Sequence, residues 1–127
     1  MVSADPIACM LNQLKTGTMA GKNLVSAPHS KVKFQIAKIL EREGYLKSIN
    51  LKTKKTKKFI DCELKGEKKI SGIKKISHPG KRVYIKQGMI RPVKSGGVAV
   101  ISTSQGIMTG SEAKRANMGG EFLFEIW

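Results

Sequence analysis

One candidate recognition surface combines an aromatic ring with two cations. Tyr84 lies between Arg82 and Lys86 in the sequence. Because side chains alternate along an extended strand, these three would share one face, while Val83 and Ile85 would face the core. Such a face can stack an unpaired base on the ring and hold phosphates with the cations. An ordinary half-exposed tyrosine is an equally good interpretation of the pattern.

A second candidate surface is a dense run of hydroxyl groups that follows an apolar segment at residues 98–101. Small hydroxyls donate and accept hydrogen bonds at close range, which suits the shallow minor groove of RNA with its 2′-hydroxyl groups. A hairpin turn whose Ser and Thr side chains bond their own backbone is the simpler alternative. The run comprises Ser102, Thr103, Ser104, Gln105 and Gly106.

Motifs for enzymatic chemistry lack the spacing that the chemistry requires. Residues 17–23 superficially resemble a phosphate-binding loop, but one residue too few precedes the Gly-Lys pair, and Asn23 replaces the magnesium-binding Ser or Thr. Cys9, Cys62 and the two histidines lack the short paired spacings of a zinc site. No G-x-S-x-G elbow occurs. We therefore expect neither an enzyme nor a bound metal or cofactor.

Charge indicates the class of partner. The 127 residues include 24 Lys and Arg against 9 Asp and Glu, a net charge of +15 that is typical of proteins that bind a polyanion. Only four of these cations are arginines, and hydrated lysine charges suit phosphate docking better than bidentate base reading. Residues 47–58 hold six lysines and no acid, and residues 65–94 hold ten cations against Glu67 alone. Two basic surfaces are therefore predicted.

The lysine run at residues 52–58 includes Lys54 and Lys55. We expect these side chains to add affinity that is independent of base sequence and falls with salt, although a solvated hairpin tip would have the same composition.

No apolar run is long enough to span a membrane, and no signal-peptide pattern opens the chain. These features predict a cytoplasmic protein with reduced thiols.

Two amphipathic helices are predicted near the start of the chain. Asp5 and Pro6 mark the cap and first position of one helix, which is expected to end near Gly17. Ser30 is the expected cap of the other, which Gly44 should end. The apolar face expected for this second helix comprises Val32, Ile36, Ile39 and Leu40.

The predicted fold class is α+β. An N-terminal α/β lobe at residues 1–65, with two helices on a small three-stranded sheet, is expected to pack against a mainly β C-terminal lobe at residues 66–127 with one short helix. Thr109 and Glu112 have the spacing of a capping box for that helix. The predicted strands are residues 24–27, 45–51 and 59–64, then 73–77, 82–86, 98–103 and 121–127, with a flexible connection at 95–97. In the last strand the inward face is expected to comprise Phe122, Phe124 and Ile126.

Four motifs occur in order along nearly the whole chain. They are DPIA at residues 5–8 with Met10, Leu11 and Gly17; PHSK at 28–31 with EGY at 43–45; SHPGKRVY at 77–84; and GVAVISTSQGIMT at 97–109 with Ala113 and GGE at 119–121. Together they resemble the bacterial-type small-subunit ribosomal protein eight family, the universal family eight of the small subunit. The departures are Gln105, where the family usually has a cation, and His78, Gln13 and Lys15, where it often has arginines. We expect weaker salt dependence from the loop that holds Gln105.

The resemblance implies a structural constituent of the ribosome that binds the central domain of small-subunit rRNA and helps to organise platform assembly, in a cytoplasmic or organellar ribosome. It implies neighbouring small-subunit proteins as partners and, as in many bacteria, an operon mRNA that mimics the rRNA site and is translationally repressed. Neither a membrane nor a small-molecule substrate is expected. The RNA-binding residues that it implies are Ser102, Thr103, Ser104, Tyr84 and Glu121, with Ser30 and Lys31 from the first lobe.

Three other functional classes fit parts of the pattern. A DNA-architectural protein would share the charge, but the sequence shows no wedge or arm for the minor groove. An RNA-modifying enzyme would need an acid, base or metal constellation. A protein that binds acidic membranes would need a helix with a Trp- and Phe-rich apolar face.

Overall fold

The computed structural model describes residues 6–91, 93 and 96–127, which form two compact units, 6–70 and 71–127. The first contains two helices and a three-stranded sheet, and the second contains a five-stranded sheet and one short helix. The predicted α+β fold class is confirmed, while the boundary after residue 65 stays a prediction. The expected cap Asp5 and part of the expected connection at 95–97 lie outside the described residues.

The first helix, α1, spans Pro6–Met19 and continues through Gly17, where it was expected to end. Gly17 is buried, and a Cβ atom there would lie 2.7 Å from the Val25 side chain. Glycine therefore serves here to bring the helix close to the neighbouring strand. The chain turns instead at Gly21, whose φ of +73° is the left-handed conformation that glycine adopts readily.

The second helix, α2, spans Lys31–Arg42 and is capped as predicted, because the Ser30 hydroxyl accepts a hydrogen bond from the Lys33 backbone N–H at 3.1 Å. Its predicted apolar face is wrong at one position. Val32 is 41% exposed, whereas Lys33 is buried. Lys33 lies three, four and seven residues before three of the other buried positions, Ile36, Ala37 and Leu40. Its aliphatic stem can therefore pack beside them while its ammonium reaches outward.

The sheet of the first unit is antiparallel, in the order β1-β3-β2. Its second strand begins later than predicted, because the N–H groups of Tyr45 and Leu46 bond back to the Leu40 carbonyl and close the helix instead of pairing. Gly44, with a φ of +93°, makes this reversal possible. The strands are β1 (Leu24–Pro28), β2 (Ser48–Lys54) and β3 (Lys57–Glu63).

Asp61 is a buried carboxylate at the centre of β3. Ser26 on β1 donates a hydrogen bond to it, and Lys52 Nζ on β2 lies 3.0 Å from its other oxygen. The hydrogen bonds from Ser26 and then Lys52 hold the pKa of the Asp61 carboxyl below its usual value. This group therefore joins all three strands, a role that the alternating sequence pattern does not reveal.

The sheet of the second unit is built around its last strand, which pairs with three others. Two predicted strands, at residues 73–77 and 82–86, are shorter than expected. A fifth strand, at Gly106–Thr109, is absent from the predicted strands. The elements are β4 (Ile73–Lys75), β5 (Tyr84–Ile85), a 3₁₀ turn (Gln87–Met89), β6 (Val98–Thr103), β7 (Gly106–Thr109), α3 (Gly110–Arg115) and β8 (Gly120–Ile126).

The short helix α3 has the predicted capping box. The Thr109 hydroxyl accepts from the Glu112 N–H at 3.2 Å, and the Glu112 carboxylate accepts from the Thr109 N–H at 3.1 Å. The helix begins directly after its cap, at Gly110, and Asn117 in a left-handed conformation follows its end. Ala113 packs with Ile90 and Ile101 in a small core cluster.

A β-bulge interrupts the pairing of β6 with β8. Val100 pairs with Phe124 and Ile101 pairs with Phe122, so Leu123 is the extra residue. Since Val100 and Ile101 point to opposite faces, their partners do so too. The predicted inward face of β8 is therefore wrong in placing Phe122 with Phe124: Phe124 and Ile126 are fully buried, whereas Phe122 is half-buried.

The Asp61 contacts predict a pH-dependent contribution to stability. Asp61→Asn should lower the free energy of unfolding at pH 7 by about 1–3 kcal/mol, because a buried charged acceptor is lost; the ion pair adds less, since the Lys52 side chain is 67% exposed. The folded pKa is depressed, so the stabilisation is present above the unfolded value of about 4 and is lost as pH falls through the folded pKa.

Urea unfolding at pH 7 and pH 3 measures this dependence. The difference between the unsubstituted chain and Asp61→Asn should shrink at pH 3. Glu63→Gln, on the same strand but only half-buried, serves as the control and should have little effect. An Asp61→Asn difference of the same size at both pH values would contradict the assignment.

Candidate nucleic-acid interface

Three of the predicted RNA-binding residues lie side by side on adjacent strands of the second unit. Glu121 at the start of β8 pairs with Tyr84 of β5 on one side and with Ser102 of β6 on the other. Directly paired residues project from the same face of a sheet. The structure therefore brings together, in one row, an aromatic ring, a carboxylate and a hydroxyl from three separate segments. We call this row the Tyr84-Glu121-Ser102 face.

Close backbone approach at the start of β8 makes this row possible. A Cβ atom at Gly120 would collide with the carbonyl oxygen of Ser102, and one at Gly119 would collide with the carbonyl oxygen of Ile85. Both neighbouring atoms belong to the backbone, which cannot move aside as a flexible side chain can. The two glycines thus let β5 and β6 approach β8 closely enough to place their side chains beside Glu121.

The exposed ring of Tyr84 is available for stacking. Its residue exposure is 73%, while Val83 and Ile85 on either side are half-buried, as the predicted alternation requires. Arg82 and Lys86 are exposed before and after this strand. A large aromatic side chain held outward on a strand has the placement that base stacking needs.

The hydroxyl run forms the turn of the β6–β7 hairpin, with Ser104 and Gln105 exposed at its tip. Thr103 bonds its own turn: its hydroxyl donates to the Gly106 carbonyl at 2.8 Å and accepts from the Gln105 N–H at 3.2 Å. Thr103 therefore fits the simpler alternative, a hairpin turn whose side chains form hydrogen bonds with their own backbone. Gly106 has a φ of +116°, a conformation that favours glycine.

The Glu121 carboxylate is held by two donors. Ser77 Oγ donates to Oε2 at 2.5 Å, and Arg82 Nη1 lies 3.1 Å from the same oxygen. Both contacts use Oε2, so, as far as the described residues show, Oε1 is the oxygen left to accept from a ligand. The Arg82 cation also offsets the negative charge of Glu121, whose side chain is 19% exposed. Ser77 was not among the predicted site residues, because a serine at the end of a strand carries no signal of its tertiary contacts.

The predicted residues of the first unit gather at one end of that unit. The His29 N–H donates to the Lys58 carbonyl at 3.0 Å, which places the start of α2 beside the β2–β3 hairpin. Lys31, Lys54 and Lys55 are exposed there, with Lys55 in the hairpin turn. The Ser30 hydroxyl already accepts a hydrogen bond from the backbone of α2, because it caps that helix. This end of the unit is a cluster of solvated cations suited to phosphates.

Burial and spacing limit the chemistry of the thiols and carboxylates that the structure describes. Burial, together with the Asp61 charge, raises the pKa of Cys62 to about 11, so this thiol stays protonated near neutral pH. In the described ranges, no group of three or more His, Cys, Asp and Glu side chains has the geometry to hold a metal ion. The helices in that part of the chain are all too short or too polar to cross a membrane.

The close approach at Gly120 generates a stability prediction. Gly120→Ala should lower the free energy of unfolding by about 1–3 kcal/mol, because the new methyl group meets backbone and forces β6 away from β8. Gly80→Ala is the matched control, since a Cβ atom at Gly80 meets nothing within 4 Å and Gly80 has no positive φ. Urea unfolding of both variants tests the assignment, and equal losses would refute it.

Comparison with known proteins gives a consistent result over the full length. The family described as ribosomal protein S8 matches residues 5–127. Small ribosomal subunit protein uS8 of Rubrobacter xylanophilus is 45% identical over 132 aligned residues that cover 100% of both chains. The uS8 protein of Halothermothrix orenii is 43% identical over 97% of each chain, and that of Mycoplasma mycoides is 45% identical over 99% of this chain and 100% of its own.

Proposed function

This chain belongs to the ribosomal protein S8 family, and we propose that its Tyr84-Glu121-Ser102 face recognises the central domain of small-subunit rRNA. The resemblance inferred from the sequence motifs is thereby confirmed at the level of the family. The curated relatives are named as small ribosomal subunit proteins, so the role of this chain is that of a structural, RNA-binding constituent of the ribosome in translation.

The observation that carries the proposal is the register that aligns Tyr84, Glu121 and Ser102 across three strands. A stacking ring, an acceptor and a hydroxyl in one row match the groups that a splayed RNA loop offers, namely a base face, amino or imino hydrogens and 2′-hydroxyls. A carboxylate accepts hydrogen bonds but repels phosphate. Glu121 therefore favours contact with a ribose or a base edge over contact with the backbone phosphates.

The cations have a separate task in this proposal. The lysine-rich surfaces at residues 52–58 and 65–94 dock phosphates and supply affinity independent of base sequence. The residues after 95 carry two cations and three acids. Recognition of local RNA shape thus falls to a nearly neutral segment, while attraction falls to the lysines. Ser30, Lys31, Lys54 and Lys55 contribute to docking from the first unit.

Further partners follow from the same surface. An operon mRNA that folds like the rRNA site would occupy the Tyr84-Glu121-Ser102 face and could not be translated while bound. In the assembling subunit, the chain would organise the platform and lie beside other small-subunit proteins, in a cytoplasmic or organellar ribosome. The two compact units correspond, in this proposal, to the lobes expected at residues 1–65 and 66–127.

A titration of the full chain across a salt series tests the proposal. The RNA is a central-domain fragment of small-subunit rRNA, and the competitor is DNA of the same sequence. We expect the RNA to bind at least about tenfold more tightly at 0.15 M salt, because the DNA lacks the 2′-hydroxyl groups. Equal affinity for both polymers would overturn the proposal.

Two single substitutions test the separation of docking from recognition. Lys55→Ala should weaken binding to all RNAs alike and make the affinity less dependent on salt concentration, by up to about one released counterion.

Ser104→Ala should weaken binding to the central-domain fragment by roughly 1–3 kcal/mol with little effect on a random hairpin of the same length. Each variant is the control for the other. If Ser104→Ala left discrimination between the two RNAs intact, its assigned role would be wrong.

A further inference from the structure

Ser77 is a fully buried polar residue directly beneath the Tyr84-Glu121-Ser102 face. Its exposure is 0%, and its hydroxyl both donates and accepts: it donates to Glu121 Oε2 at 2.5 Å and accepts from the Val83 N–H at 3.2 Å. Its carbonyl accepts from the Lys75 ammonium. Because its hydroxyl and carbonyl both form hydrogen bonds, Ser77 connects several segments of the chain and does more than fill volume in the core.

The junction is anchored to the β-bulge of β8. The carbonyl of the extra residue, Leu123, accepts from the Ile76 N–H at 3.0 Å and from the Ser77 N–H at 3.3 Å. The chain then turns through His78 and Lys81, whose backbones exchange two hydrogen bonds, and returns to Val83. Ser77 therefore connects the bulge, the returning strand and the Glu121 carboxylate at a single point.

We propose that Ser77 is the positioning residue of the RNA-reading face. The proposal rests on the proposed function and deepens it. By holding Oε2, Ser77 directs Oε1 of Glu121 toward the ligand, and by accepting from Val83 it fixes the backbone one residue before Tyr84. A side chain that is already ordered loses less entropy on binding, so the two contacts raise affinity for an RNA of matching shape.

Arg82 cannot replace Ser77 in this task. Its side chain is 49% exposed, and its cation is free to turn toward a phosphate when RNA arrives. Ser77 is enclosed, so its bond to Glu121 persists in that event. The hydrogen bond to a charged acceptor is also of the stronger kind. Ser77 thus keeps Glu121 oriented while Arg82 is exchanged between protein and RNA.

The test compares two substitutions at Ser77 that separate positioning from stability. Ser77→Ala removes the hydroxyl and should weaken binding to the central-domain fragment by about tenfold, with a random hairpin unaffected. Ser77→Thr keeps the hydroxyl but adds a methyl group where there is no room, so it should lower the melting temperature yet retain discrimination. Ser71→Ala, at an exposed serine of the same unit, should change neither quantity.

Coupling to Glu121 provides the second measurement. If Ser77 acts through the carboxylate, most of the loss caused by Ser77→Ala disappears in a Glu121→Ala background. Should Ser77→Ala prove too unstable to assay, Ser77→Cys retains the volume with a weaker donor and should lose most of the discrimination.

The outcomes separate this inference from the proposed function. If the unsubstituted chain does not prefer the central-domain fragment, the proposed function fails. If the unsubstituted chain prefers it and Ser77→Ala does too, only the role of Ser77 fails. Loss of discrimination that follows the melting temperature, with Ser77→Thr affected as much as Ser77→Ala, would likewise show that Ser77 is merely structural.

Discussion

The arrangement of the second unit depends on the start of β8, where one strand pairs with two others at the same residue. Glu121 can lie between Tyr84 and Ser102 only if β5 and β6 both approach the β8 backbone. That approach requires the absence of a side chain at Gly119 and Gly120. The Tyr84-Glu121-Ser102 face is therefore a consequence of close backbone packing at these two glycines.

The bulge at Leu123 is the second part of this constraint. Without the extra residue, the alternation that buries Phe124 would continue to Phe122 and would turn Glu121 to the opposite face of the sheet from the one it occupies. The bulge also frees the Leu123 carbonyl, which receives both Ile76 and Ser77. A single inserted residue thus sets the direction of the carboxylate and anchors the segment that restrains it.

Residue chemistry supplies candidates for the site but does not predict how they are arranged. Alternation and composition single out Tyr84 and the hydroxyl run, and the family resemblance points to Glu121. None of these signals shows which strands pair with each other. Helix caps such as Ser30 and Thr109 are local, so the sequence predicts them correctly. The β7 strand and the bulge depend on hydrogen bonds between distant segments, and Ser77 acquires its role only from such contacts.

Asp61 and Glu121 are two carboxylates with similar partners but different burial. Asp61 and Glu121 each accept from a serine hydroxyl and lie near one cation. Asp61 is enclosed, and contacts from Ser26 and Lys52 reach its two oxygens, so its bonding serves the sheet that contains it. Glu121 is partly exposed, and its protein partners share one oxygen. In a chain with a net charge of +15, the pair with Arg82 offsets the negative charge of Glu121 before RNA arrives, and the proposed function assigns the other oxygen of this carboxylate to the ligand.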